Sequence, residues 1–282
     1  MDLAGVQRIA AFSAGEAGGN PAGVVIGHRL PDAAAMQALA AEIGYSETAF
    51  AAPDGEGWRV HYFAPRIEVP FCGHATIALG AALALRQGDG RYALRLNEGA
   101  ITVEGWRQGG LRAALQSPPT SSRPAPPALA EEALDLFGIV PGALDPRIPP
   151  SLAEAGARHL VLALRERSAL ATMRYDLARG AAIMAAAGLA TVALVQAEGP
   201  TLFHARNAFA VGGVAEDPAT GAAAAALGGL LRDLEWPLGG GAGATIEIRQ
   251  GEDMGVPCLL QVTAPAAGGA SVRVAGSARL IG

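Results

Sequence analysis

At 282 residues the chain is long enough for two domains, each with its own core. With 51% hydrophobic and only 17% charged residues it is globular, which excludes a disordered protein. A net charge of −5, without long basic runs, excludes a nucleic-acid partner, which needs clustered Lys and Arg.

Residues 6–12 predict a first strand, ended by the glycine-rich turn 15–20, and 24–26 a short buried strand. Pro31-Asp32 ahead of 33–43 predicts a helix with an acidic start, closed by Gly44. Residues 48–51 and 58–63 read as paired strands around the turn 53–57. Residues 75–83 are small or apolar without any charge, which predicts a buried helix rather than an amphipathic surface one. Strand-like runs follow at 92–96, 100–104 and 111–115.

Residues 117–127 hold five prolines among serines and predict a linker over 119–127. Beyond it the pattern predicts a helix at 128–137, a strand at 159–164, a helix at 175–187 and a strand at 191–196. A second buried helix is expected at 221–231, a glycine loop at 239–243, and closing strands at 245–250, 259–263 and 271–274. No apolar run reaches the ~20 residues that a membrane helix needs, and residues 1–3 lack a basic leader. A cytoplasmic protein without a membrane partner is expected. The two cysteines, Cys72 and Cys258, show no metal-ligand spacing.

Residues 75–83 recur at 219–227, 144 positions on, about half the chain. Each copy follows a short segment that can carry chemistry, Phe71-Cys72-Gly73-His74 and Glu216-Asp217-Pro218. Two such halves suggest a pseudo-symmetric protein with a site between them, where two helix N-termini would attract a carboxylate. The alternative is chance similarity between two alanine-rich helices. The fold class expected is α+β, each half a curled, mostly antiparallel sheet around a central helix. The boundaries expected are 1–118 and 128–270, with a strand near 271–282 returning to the first half.

Three polar residues stand out. Glu47, between a helix end and an apolar strand, would be partly buried, which raises a carboxyl pKa toward the range useful for moving protons. From the residues alone a surface turn glutamate with Ser46 as a local cap is the readier reading, because glutamates are mostly exposed. His74 follows Gly73, which permits an unusual backbone, and a His beside a helix N-terminus tends to stay neutral. A neutral imidazole can polarise a carbonyl, or simply bond within the core. Asp217 before Pro218 reads as a helix cap that could also hold a substrate amine or hydroxyl. By the 144-residue offset Glu47 matches Thr191 and Cys72 matches Glu216, so the proton-handling group is one-sided and a two-thiol racemase is disfavoured.

Five segments in order carry a family resemblance. They are Gly19-Asn20-Pro21-Ala22-Gly23-Val24-Val25, Ser46-Glu47-Thr48-Ala49-Phe50, Glu68-Val69-Pro70-Phe71-Cys72-Gly73-His74-Ala75-Thr76, Glu216-Asp217-Pro218-Ala219-Thr220-Gly221 and Gln250-Gly251. Together they resemble the PhzF-like phenazine biosynthesis isomerases. The resemblance implies a diaminopimelate-epimerase-like fold, a homodimer, and neither cofactor nor metal. The characterised phenazine member moves a proton between carbons of trans-2,3-dihydro-3-hydroxyanthranilate. It implies Glu47 as the acid/base and substrate binding by Gly73, His74, Asp217, Thr220 and Gly221. Two departures stand against it: Ala222 replaces a ligand-contacting Ser, and Val256 replaces the Arg of a Gly-Arg-Pro. A small carboxylate-bearing substrate other than the anthranilate is therefore expected. The other readings are a racemase or epimerase of the same fold, and a non-catalytic small-molecule-binding protein.

Overall fold

The computed structural model describes residues 5–237, 243 and 245–282, so the opening residues 1–3 and most of the loop expected at 239–243 lie outside it. The fold is mixed α+β. The chain divides into two compact units, Met1–Gln116 with Ala275–Gly282, and Ser117–Val274.

In the first unit β1 (Gln7–Ser13) runs antiparallel to β2 (Asn20–Ile26). Helix α1 (Ala33–Ile43) starts where the Asp32 carboxylate accepts the Ala35 amide at 2.8 Å. It stops at Gly44, whose φ of 74° suits a residue without Cβ. Strand β3 (Thr48–Asp54) then lies parallel to β2 with Thr48 opposite Gly23. A Cβ on Gly23 would come within 2.8 Å of Thr48 Oγ1, so the glycine makes this close pairing possible. Strand β4 (Gly57–Phe63) folds back on β3, and the short β5 (Glu68–Val69) on β4. Helix α2 (Gly73–Gln87) is buried from Gly73 to Ala84 and packs on β1 and β2. It also packs on the later β7 (Gly99–Trp106) and β8 (Arg112–Gln116). Between them β6 (Gly90–Leu96) runs parallel to β4 and antiparallel to β7.

The second unit opens with β9 (Ser121–Pro124) and α3 (Pro127–Phe137). Residues 119–127 are thus structured, not a bare linker: β9 pairs antiparallel with β10 (Ser151–Glu154). Pro124 ends that strand, a position where a missing N–H is tolerated. Then come β11 (Arg158–Leu164), α4 (Arg167–Ala171), α5 (Leu177–Ala187), β12 (Thr191–Ala197) and β13 (Leu202–Ala208). The two-residue β14 (Glu216–Asp217), α6 (Gly221–Asp233), β15 (Thr245–Gln250) and β16 (Cys258–Thr263) complete it. Strand β17 (Arg273–Leu280) leaves this unit: from Ala275 on it belongs to the first, where Leu280 pairs with Ile9.

The pairing from β10 to β16 repeats that from β1 to β7, antiparallel and parallel steps included. The internal repeat is therefore real, but its register differs from the one that the Ala-Thr match suggests. Helices α2 and α6 start 148 residues apart, at Gly73 and Gly221. Gly80 and Gly228, at the same separation, make the same close approach. A Cβ on Gly80 would sit 2.5 Å from Val103 and 3.1 Å from Ala113. One on Gly228 would sit 2.7 Å from Val262 and 3.2 Å from Val272. The correction is four residues, about one helical turn. It places Cys72 opposite Thr220, the two residues preceding their helices, rather than opposite Glu216. On the strands Thr48 and Thr191 correspond, so Glu47 matches Ala190 instead of Thr191. No helix among the described residues is long and apolar enough to cross a membrane.

Candidate active site

In the first unit Glu47, Gly73 and His74 come together with Ser46 and Cys72. Glu47 ends the loop before β3, where its carbonyl accepts the Gly23 amide at 3.2 Å. The Gly-Asn-Pro-Ala-Gly and Ser-Glu-Thr motifs thus serve one construction: β2 fixes the residue that β3 presents. Glu47 is only 8% exposed. Its Oε2 lies 3.4 Å from His74 Nε2, which also faces Ser46 Oγ at 3.3 Å. The other ring nitrogen, Nδ1, lies 3.4 Å from Cys72 Sγ.

Burial pushes the Glu47 carboxyl above the usual carboxylate range, because a charge there loses its water. Hydrogen bonds from Ser46 and Cys72 draw it partly back. Such a carboxyl can hold a proton at one moment and give it up at the next. Gly73 is the first residue of α2 in ordinary helical backbone, so the unusual conformation expected of it is not used.

Two buried hydroxyls fix the start of α2, Thr76 at the end of the third motif and Tyr62 outside every motif. Thr76 Oγ1 donates to the Cys72 carbonyl at 2.7 Å, and Tyr62 OH lies 2.6 Å from Thr76 Oγ1. Burial raises the Tyr62 pKa, so it stays a phenol donor. The trace in the sequence is a threonine within the charge-free run 75–83.

In the second unit Asp217, Thr220 and Gly221 come together, but Asp217 does not cap a helix. It ends β14, and α6 begins after Thr220, with Pro218 outside it. Thr220 Oγ1 donates to Asp217 Oδ2 at 2.5 Å. The turn is held from a distance by Gln250, 1% exposed, at the end of β15. Its Nε2 donates to the Asp217 carbonyl at 2.7 Å and to Thr220 Oγ1 at 3.2 Å. Its Oε1 accepts the Thr220 amide at 3.2 Å. Next to Asp217, Glu216 is clamped by Arg206, with Nη2 2.5 Å from Oε2 and Nε 3.0 Å from Oε1. Neither Gln250, seen in the sequence only as part of a motif, nor Arg206 could be given its role without the fold. Ala222 is the second residue of α6 and is buried. Cys258 is buried in β16, where it packs.

Comparison with known proteins accords with this architecture. The family model described as "Phenazine biosynthesis-like protein" matches residues 9–281. An uncharacterized isomerase of Deinococcus radiodurans is 33% identical over 269 residues, covering 90% of this chain and 85% of that one. The crystal structure of a PhzF-family protein from Bacillus anthracis superposes with a TM-score of 0.85 at 19% identity, over 98% of this chain and 96% of the other. A Pseudomonas aeruginosa protein titled a predicted epimerase gives a TM-score of 0.83 at 26% identity, with the same coverage. With its motifs in order and nearly its whole length matched, the chain belongs to the PhzF, or phenazine biosynthesis-like, family and has the diaminopimelate-epimerase-like fold.

Proposed function

We propose that the protein is a cofactor-independent isomerase that shifts a proton between carbons of a small carboxylate-bearing metabolite. The observation that supports this best is the buried Glu47 carboxyl, raised in pKa and 3.4 Å from His74. In this reading Glu47 lifts a proton from one carbon and returns it to another. His74, an imidazole at a helix start, steadies the charge that forms on the substrate oxygen between the two steps. Gly73, Asp217, Thr220 and Gly221 bind substrate, with the amides at the helix starts suited to a carboxylate. Ala222 and Val256, in place of a hydroxyl and a guanidinium, argue for a substrate other than the phenazine intermediate.

The thiol of Cys72, 3.4 Å from His74 Nδ1, favours a second reading as an epimerase. Thr220, which holds the corresponding place in the second unit, cannot serve as the opposing ionisable base. The experiment is incubation of candidate carboxylates with the protein in deuterated water. Deuterium appearing at a new carbon, lost in Glu47→Gln, supports the isomerase. Deuterium at a stereocentre with inversion supports the epimerase, and no uptake across the panel in a ligand-binding protein argues against both.

A further inference from the structure

Glu47, Cys72 and His74 form a donor set of a second kind. They offer a carboxylate oxygen, a sulfur and an imidazole nitrogen, all buried and all within 4.8 Å of one another. A tetrahedral ion with bonds of about 2.0–2.3 Å holds its ligand atoms roughly 3.3–3.7 Å apart. Cys72 Sγ and His74 Nδ1 already stand at 3.4 Å. Glu47 Oε2 lies 3.4 Å from the other ring nitrogen, Nε2, so its carboxylate must turn toward Nδ1 to close the set. If Nδ1 takes the ion, Nε2 carries the ring proton and faces Ser46 Oγ at 3.3 Å. That is the outer hydrogen bond by which ligating histidines are oriented.

We propose that Glu47, Cys72 and His74 bind a borderline-soft divalent cation of the zinc class, with a fourth position open to water. Thiolate, imidazole and carboxylate together select zinc or cobalt over magnesium or calcium, which take oxygen ligands. The thiol and any carboxyl proton pass to the buffer as the ion binds. The site itself rests on the donor geometry alone. Its consequence rests on the proposed reaction: an ion on Glu47 lowers the basicity of the carboxylate that would take the substrate proton, so zinc inhibits.

The test is titration of the full chain with Co²⁺, following the visible bands of a tetrahedral ion and the near-ultraviolet thiolate-to-cobalt band. One equivalent should bind with that band and be displaced by Zn²⁺. Cys72→Ser should lose the band and Cys258→Ser keep it, while His74→Gln weakens binding at least about tenfold. No band in the unaltered protein, or one that survives Cys72→Ser or depends on Cys258, overturns the site. Should Cys72→Ser fail to fold, undiminished cobalt affinity in both His74→Gln and Glu47→Gln overturns it equally. Deuterium exchange measured with and without Zn²⁺ is read separately. Exchange undiminished at saturating zinc overturns the inhibition while the cobalt spectra still decide the site.

Discussion

Replacing Gln250 by Leu keeps much of the side chain's bulk but removes every hydrogen bond that it makes to the turn carrying Asp217. Two backbone groups lose a partner, the Thr220 amide and the Asp217 carbonyl, and Thr220 Oγ1 loses a donor. The Asp217 carbonyl keeps its place opposite Asn207 in the β13–β14 pairing, so the Thr220 amide is the buried group left unsatisfied, at about 1–3 kcal/mol. For a unit of this size that is at least about 2 °C in Tm. Two units need not unfold together, so the decisive measurement is local: amide hydrogen exchange at Thr220 and Gly221 should quicken while β3 and α2 keep their protection. A small cavity lined by Asn207, Ala223, Ala224 and Gln250 adjoins the site, and a water there could take over the lost bonds. A loss under about 1 kcal/mol with exchange at Thr220 unchanged would refute the claim that Gln250 holds this turn.

Glu47→Gln should stabilise the first unit at neutral pH. The folded Glu47 pKa is raised, so its favourable contribution is complete below the unfolded value of about 4.3 and is lost as pH rises through the folded one. The gain in Tm over the parent should therefore vanish below about pH 4, grow as pH rises from there to the folded value and level off above it, and a gain that ignores pH contradicts the burial argument. Arg206→Met strands the buried Glu216 carboxylate and should cost about 3–5 kcal/mol in urea unfolding, much of it restored by adding Glu216→Gln. Gly105→Ala should cost more than Gly80→Ala. A Cβ on Gly105 meets the Gly80 carbonyl, which is backbone, whereas one on Gly80 meets Val103 and Ala113 side chains and gains up to about 1 kcal/mol of helix propensity. The reverse order would show that the sheet, not α2, gives way.

Where local chemistry decides an element, the sequence is readable: Asp32 and Gly44 bracket α1, and the charge-free runs mark both central helices. The repeat was legible but its register was not, because alanine positions along a buried helix look alike. What aligns the halves is contact, Gly80 on Val103 and Gly228 on Val262, and contact partners lie far away in sequence. The start of α6 misled for the same reason: Asp217-Pro218 has the composition of a cap, yet Gln250, 30 residues on, fixes the turn. The proline-rich 119–127 reads as a linker because strand propensity is low there, while pairing with β10 supplies what propensity lacks. At the candidate site the motifs named Glu47 and His74 and ran on through Thr76, but the bond between Thr76 and the buried Tyr62 hydroxyl emerges only from packing.

The last strand sets an order of events during synthesis. The second unit is one unbroken stretch, 117–274, and can close as soon as it has left the ribosome. The first unit cannot, although it is made first: β1 waits for residues 277–280, nearly the whole length of the chain later. Until then an edge carrying Ile9, Ala10, Ala11 and Phe12, all buried in the finished fold, stands open to other nascent chains, a state that chaperones exist to shield.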